Sequence, residues 1–209
     1  MSESWEALRR RGAERLAGAG VEGAARDAEV ILRWASGLDG AALSARGDEA
    51  AAADAATRFD EGIEARAARR PASHIVGGRE FWGRWFEVTP DVLDPRPETE
   101  TLIAAALDGP APGKALDLGV GSGCLLATIL AERPEATGVG VDASRAALAV
   151  AGRNLDAHGL GGRAKLKLGD WLDGLEEGFD LILCNPPYIA EEEMPGLAPE
   201  VANHEPRLA

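Results

Sequence analysis

Apolar positions recur at helical spacing through the first seventy residues. Trp5, Leu8, Gly12 and Leu16 share one helical face, and Gly18 and Gly20 end the pattern. A second amphipathic stretch over 24–35 would bury Ala28, Ile31, Leu32 and Ala35, with Gly37 placed to cap it. A third, starting near Asp48, puts Phe59, Ile63 and Ala67 on one face and stops at Pro71. Arg69 and Arg70 would lie in its last turn, where cations suit the helix dipole. No titratable cluster marks this stretch. Residues 1–73 are expected to form a small helical bundle that packs or recognises rather than catalyses.

The pattern changes over 74–93, where β-branched and aromatic residues dominate and Gly83-Arg84 offers a turn. A β-hairpin linker is expected there. Asp94-Pro95-Arg96-Pro97-Glu98-Thr99-Glu100 then opens a helix to about Leu107, closed by Pro110, Pro112 and Gly113. From Lys114 onward, short apolar runs at 115–118, 138–142, 164–168 and 181–184 alternate with helical patterns at 124–132 and 144–158. That alternation predicts an α/β domain over 94–209, a Rossmann-like parallel sheet with helices on its faces.

Composition narrows the class. The 209 residues are 45% hydrophobic and 27% charged, ordinary for a globular chain. No apolar run approaches the ~20 residues of a membrane helix, and the polar, acidic N-terminus does not read as a signal peptide. Cys124 and Cys184 sit in apolar stretches, which predicts buried thiols and a reducing, cytoplasmic setting. The net charge of −13 divides into −2 over residues 1–70 and −11 over 71–209. So acidic a chain lacks the positive footprint that phosphate binding requires, and nucleic acid is disfavoured as a partner.

Four stretches carry candidate chemistry. Asp117-Leu118-Gly119-Val120-Gly121-Ser122-Gly123 follows a strand and opens a helix, so its glycines let a ligand approach the backbone at a helix N-terminus. A dinucleotide fingerprint would want glycine where Cys124 stands, which favours another adenosine-containing ligand over a hydride-transfer cofactor. Asp142 ends the second strand, where an acid can accept hydrogen bonds from ribose hydroxyls. Asp170-Trp171 follows the third strand; an acid and an indole there can meet an adenine. Asn185-Pro186-Pro187-Tyr188 follows the apolar strand at 181–184. Its prolines remove backbone donors and leave an amide oxygen, carbonyls and an aromatic ring, an acceptor-rich pocket for a substrate NH₂ group. His74, His158 and His204 have no partner at metal-ligand spacing, so no metal is expected. Ser122 lacks the setting of a nucleophile elbow.

Together these motifs resemble class I S-adenosyl-L-methionine-dependent methyltransferases acting on a planar NH₂ group. Arg79-Glu80-Phe81-Trp82-Gly83 and the 94–100 segment, behind a helical bundle, narrow the resemblance to the protein-glutamine N5-methyltransferases of peptide chain release factors, the HemK/PrmC family. The resemblance implies that Gly119, Val120, Gly121, Ser122 and Gly123 border the methionine end of the cofactor, Asp142 holds the ribose and Trp171 lies against the adenine. It implies that Asn185, Pro186, Pro187 and Tyr188 hold the glutamine of a Gly-Gly-Gln motif, with Asn185 and Pro186 catalytic and Asn185 also near the cofactor. The helical bundle would dock the release factor, and the enzyme would act as a monomer. Two alternatives stand beside this: an N6-adenine nucleic-acid methyltransferase, which uses the same acceptor logic, and an inactive release-factor-binding chain. Family members have a seven-stranded sheet and four strands are legible here, so a chain lacking its C-terminal strands, with an exposed sheet edge, is expected.

Overall fold

The computed structural model describes residues 3–187, 196 and 198–206, the side chain of Val201 excepted, and divides into two compact units between Val76 and Gly77. The first is helical. Helix α1 (Trp5–Gly18) is capped by the Ser4 hydroxyl, which accepts the Ala7 N–H, and α2 (Ala24–Ser36) ends at Gly37 in the left-handed region. Leu8, Leu16, Ile31, Leu32, Ala35 and Phe59 are buried together, as the helical spacing predicts.

Four features of this unit depart from the sequence reading. A short helix α3 (Gly40–Ala45), capped by Asp39, was not legible in an apolar period. Helix α4 (Ala53–Ala67) begins five residues later than Asp48, because the stretch before it is otherwise engaged. The carbonyls of Glu49 and Gly47 accept the Trp5 and Glu6 N–H groups, and Ala51 N–H bonds to the Glu3 carbonyl. Arg69 does not serve its own helix: it stands at φ 73, and its guanidinium donates to the Ala19 and Gly20 carbonyls at the end of α1. Residues 74–76, expected as the start of the hairpin, finish helix α5 (Ala72–Val76) instead.

In the second unit, β1 (Gly78–Phe81) and β2 (Arg84–Glu87) form the hairpin. Its turn is Trp82-Gly83 rather than Gly83-Arg84, with φ of 50 and 67, the paired left-handed residues of a type I′ turn. Trp82 is held in this costly conformation by its N–H, which donates to the Glu100 carboxylate at 2.9 Å. A 3₁₀ turn at Pro97–Thr99 leads into α6 (Glu100–Asp108). Then follow β3 (Lys114–Leu118), α7 (Cys124–Glu132), β4 (Thr137–Asp142), α8 (Arg145–Ala157), β5 (Ala164–Leu168), β6 (Leu181–Cys184) and α9 (Pro199–His204).

The sheet order is β5-β4-β3-β6, every pairing parallel, as the α/β alternation predicts. Ala115, Leu126, Ile129, Leu130 and Leu183 form a core with Phe81 and Phe86 of the hairpin. Leu116, Leu118, Val139 and Val141 point to the other face, against Leu175 and Phe179. Strands β5 and β6 are the edges of the described sheet, and Ile182 on β6 is exposed. Among the described residues no helix is long and apolar enough to cross a membrane.

Close packing in the helical unit generates a prediction. A Cβ on Gly12 would lie 2.4 Å from Phe59 Cζ, and Phe59 is wholly buried. Gly12→Ala therefore destabilises by about 1–3 kcal/mol, although alanine is the better helix former by about 1 kcal/mol. Urea denaturation checks this; a stabilised variant would show that the two helices can move apart freely.

Candidate functional site at the carboxyl edge of the sheet

Strand register sets the geometry. On β3, Leu118 is paired with Val141 on one side and with Cys184 on the other. Parallel neighbours lie about 4.8 Å apart, so Gly119, Asp142 and Asn185 leave the sheet beside one another. Asp142 is paired with Leu168, three residues before Trp171. The sheet order thus ranks Trp171, Asp142, the glycine loop and Asn185 along one edge. Between β3 and β6 the chain reverses its direction of progress across the sheet, the switch point at which open α/β sheets bind ligands.

The loop itself is held from several sides. Gly119, Gly121 and Gly123 adopt φ of 72, 51 and 79. The Val141 carbonyl accepts the N–H groups of both Gly119 and Val120, and an Asp142 carboxylate oxygen accepts the Gly121 N–H at 2.9 Å. The other Asp142 oxygen accepts the Ser144 N–H at the start of α8. Val120 and Ser122 are buried, Val120 packing over Gly140, whereas Gly119 is exposed and has open space where a side chain would stand. The face that the loop offers to a ligand is therefore backbone.

Beneath the loop lies Asp117, which opens the motif but carried no role in the sequence reading. One of its oxygens accepts the Leu126 N–H in the first turn of α7, and the other is buried with no hydrogen-bond partner. Burial pushes its carboxyl up to about 7, the bond to Leu126 opposing and the Asp142 charge adding to the shift. Its signal in the sequence was a lone acid inside an apolar strand. Asn154 on α8 was also missed; its buried side chain bonds to the Ser122 carbonyl. An asparagine at an inward helical position was the signal there.

Trp171 is 44% exposed and stands at φ 50, a strained conformation for an aromatic residue. Asp170 beside it is exposed. Asn185 is half-buried and Pro186 and Pro187 are exposed, while Tyr188 lies outside the described residues. Cys124 is buried and its thiol is pushed up to about 12 by desolvation; Cys184 is only half-buried, with its thiol also raised. Among the described residues no group of three or more His, Cys, Asp or Glu is placed to hold a metal ion.

The sequence was also compared with those of known proteins. Residues 97–202 match the family described as Methyltransferase small domain, and residues 7–77 match the PrmC N-terminal domain. The chain is 53% identical over 195 residues to the release factor glutamine methyltransferase of Cereibacter sphaeroides, covering 93% of this chain and 70% of that one. The enzymes of the same name from Caulobacter vibrioides and Rhodospirillum rubrum are 42% and 43% identical, over 99% and 95% of this chain and 72% and 62% of theirs.

Asp117 makes the stability of the chain depend on pH. Folded, it ionises near pH 7; unfolded, near its ordinary value of 3.8. Between those values the folded state retains a proton that the unfolded state has lost, so stability falls as pH rises. The expected loss over that interval is at most about 4 kcal/mol. Asp117→Asn, which can still accept the Leu126 N–H, removes this slope. Denaturant titrations at a series of pH values measure it, and an unchanged slope would mean that Asp117 titrates as an ordinary carboxyl.

Proposed function

Since this chain belongs to the release factor glutamine methyltransferase family, we propose that it transfers a methyl group from S-adenosyl-L-methionine to the side-chain amide nitrogen of the glutamine in the Gly-Gly-Gln motif of peptide chain release factors. The observation that carries this reading is the β3–β6 register, which sets the backbone-lined glycine loop directly beside Asn185-Pro186-Pro187. The helical unit, matched by the PrmC N-terminal domain, is the docking module for the release factor. The reading extends to a cytoplasmic monomer that acts on protein and not on nucleic acid, in keeping with the net charge of −13.

The residues present fit the cofactor. Space is open over Gly119, and the unpartnered oxygen of Asp117 lies under the loop, an acceptor for a cationic methionine end. Asp142 uses one bond on each oxygen to hold Gly121 and Ser144, and each oxygen keeps a second acceptor site for a ribose hydroxyl. Trp171 offers an exposed indole face to the adenine. Val120 and Ser122 contribute backbone, because their side chains face inward. When bound, S-adenosyl-L-methionine supplies a methyl group already made electrophilic by the sulfonium.

What the chain must add is a usable nucleophile. An amide nitrogen is poor in this role because its lone pair is delocalised into the carbonyl. The Asn185 side-chain oxygen and the Pro186 carbonyl accept its two hydrogens, fix its orientation and favour a pyramidal nitrogen with its lone pair directed at the methyl carbon. Pro187 has no N–H to compete for those acceptors. Holding reacting atoms in line is worth about 7–11 kcal/mol of barrier. As the C–N bond formed, the bond from the methyl carbon to sulfur would break to leave a neutral thioether, and the proton would then pass to water from a nitrogen that has become strongly acidic, so no side-chain base is required.

Incubation of the chain with S-adenosyl-L-methionine and an unmethylated release factor, followed by intact-mass measurement and peptide mapping, tests the reading. One added methyl on the Gly-Gly-Gln glutamine is expected; a methyl elsewhere, or none, overturns it. Asn185→Ala is expected to lower turnover by about 10²–10³-fold or more, while cofactor affinity changes by less than about threefold. Equal loss of binding and turnover would reassign Asn185 to the cofactor.

A further inference from the structure

Asn154 lies on α8, outside the residues given roles above, and is 2% exposed. Its side-chain amide makes three hydrogen bonds, all to backbone. Nδ2 donates to the Ser122 carbonyl at 2.8 Å and to the Glu87 carbonyl at 3.0 Å, and Oδ1 accepts the Glu87 N–H at 2.8 Å. A flipped amide would set oxygen against two carbonyls, so the network fixes its orientation. Toward Glu87 the amide acts as a neighbouring strand would, taking up both backbone groups of this last residue of β2. With its remaining hydrogen it holds the glycine loop.

The surroundings keep this junction in place. The Arg153 guanidinium clasps the Glu87 carboxylate through two bonds, at 2.9 and 2.8 Å. The Phe86 ring packs on that of His158, 4.9 Å between centroids, and His158 Nε2 lies 3.0 Å from the Trp85 carbonyl. On the loop side, Gly123 backs onto Ala151, leaving 3.2 Å for a Cβ. One face of α8 therefore grips the hairpin and the loop together.

We propose that Asn154 is a positioning residue for the cofactor, one that makes the hairpin a working part of the cofactor site. This rests on the reading of residues 119–123 as the cofactor loop. Three glycines at positive φ let that loop adopt its shape cheaply but give it no side chains with which to keep it. An anchor on the Ser122 carbonyl adds to the bonds from Val141 and Asp142 a restraint on the far side of the loop, so less ordering remains to be done when the cofactor binds. Coupling of this kind is reciprocal: a cofactor that needs the loop in this shape also steadies the hairpin.

Asn154→Asp tests the assignment, because it keeps the shape and exchanges the two-hydrogen donor for a carboxylate facing two carbonyls. Ionised, the carboxylate repels the Ser122 carbonyl; protonated, its O–H donates again. Glu87, Arg153 and His158 pack around this position, and Asp117, Cys124 and Asp142 lie about the loop. All are common to both proteins, so the ratio of variant to wild-type dissociation constants isolates residue 154. With S-adenosyl-L-homocysteine as the probe in titration calorimetry, the ratio is expected to be about tenfold or more at about pH 8 and to close to within about threefold near pH 5.5. A ratio within about twofold of one, or equal at the two pH values, overturns the proposal.

A second measurement needs no variant. Saturating S-adenosyl-L-homocysteine should slow amide hydrogen exchange of wild type across 84–88 as well as across 119–123. A wild type that binds the probe with exchange across 84–88 unchanged overturns the role of Asn154 alone. A wild type that does not bind it overturns the cofactor reading and this proposal together.

Discussion

The two-sided parallel pairing of β3 is the constraint on which the second unit depends. Four of its five residues are buried, and each side bonds to a strand running the same way. Because Leu118 is paired with both Val141 and Cys184, three loops begin in one row at one edge. A slip of one residue on either side would turn Leu116 and Leu118 out of their core and move Asp142 or Asn185 away from the loop. The pairing register of the strands thus fixes where the chemistry stands.

A loop placed so precisely still has to be held, and glycines cannot hold themselves. The structure solves this with side chains borrowed from other elements: Asp142 takes the Gly121 N–H, Asn154 takes the Ser122 carbonyl, and Asp117 steadies the first turn of α7. Asp142 and Asn154 reach out a second time, to Ser144 and to Glu87. Loop, helix α8 and hairpin are in this way one polar framework, and the outer face of the loop remains backbone for a ligand. Asp117 bears the cost, a carboxyl in an apolar setting with one oxygen unpartnered.

The hairpin shows why local pattern is insufficient. Its β-branched and aromatic residues announced strands, yet the turn lies one residue earlier than glycine placement suggested. Trp82 takes a left-handed conformation that it would avoid alone, since the Glu100 carboxylate from α6 captures its N–H. The late start of α4 has a similar origin: residues 47–51 serve the first turn of α1 instead of extending their own helix. In both places a partner distant in sequence outbids a local preference.

The sequence by itself determined the helical face of the first unit, the strand–helix alternation of the second and the motif positions 119–123, 142, 171 and 185–187. These follow from periodicity and from residue types whose chemistry is local: glycine at positive φ, proline without a donor, a short apolar run in a strand. Only the tertiary structure decided that Val120 and Ser122 turn inward, that one oxygen of Asp117 is left without a partner beneath the loop, and that Asn154 ties the loop to the hairpin. The physical reason is that a polar group's role depends on which backbone groups it meets after packing. Those groups, thirty-two residues away for Ser122 and sixty-seven for Glu87 in the case of Asn154, are set by the fold and not by the neighbours in the chain.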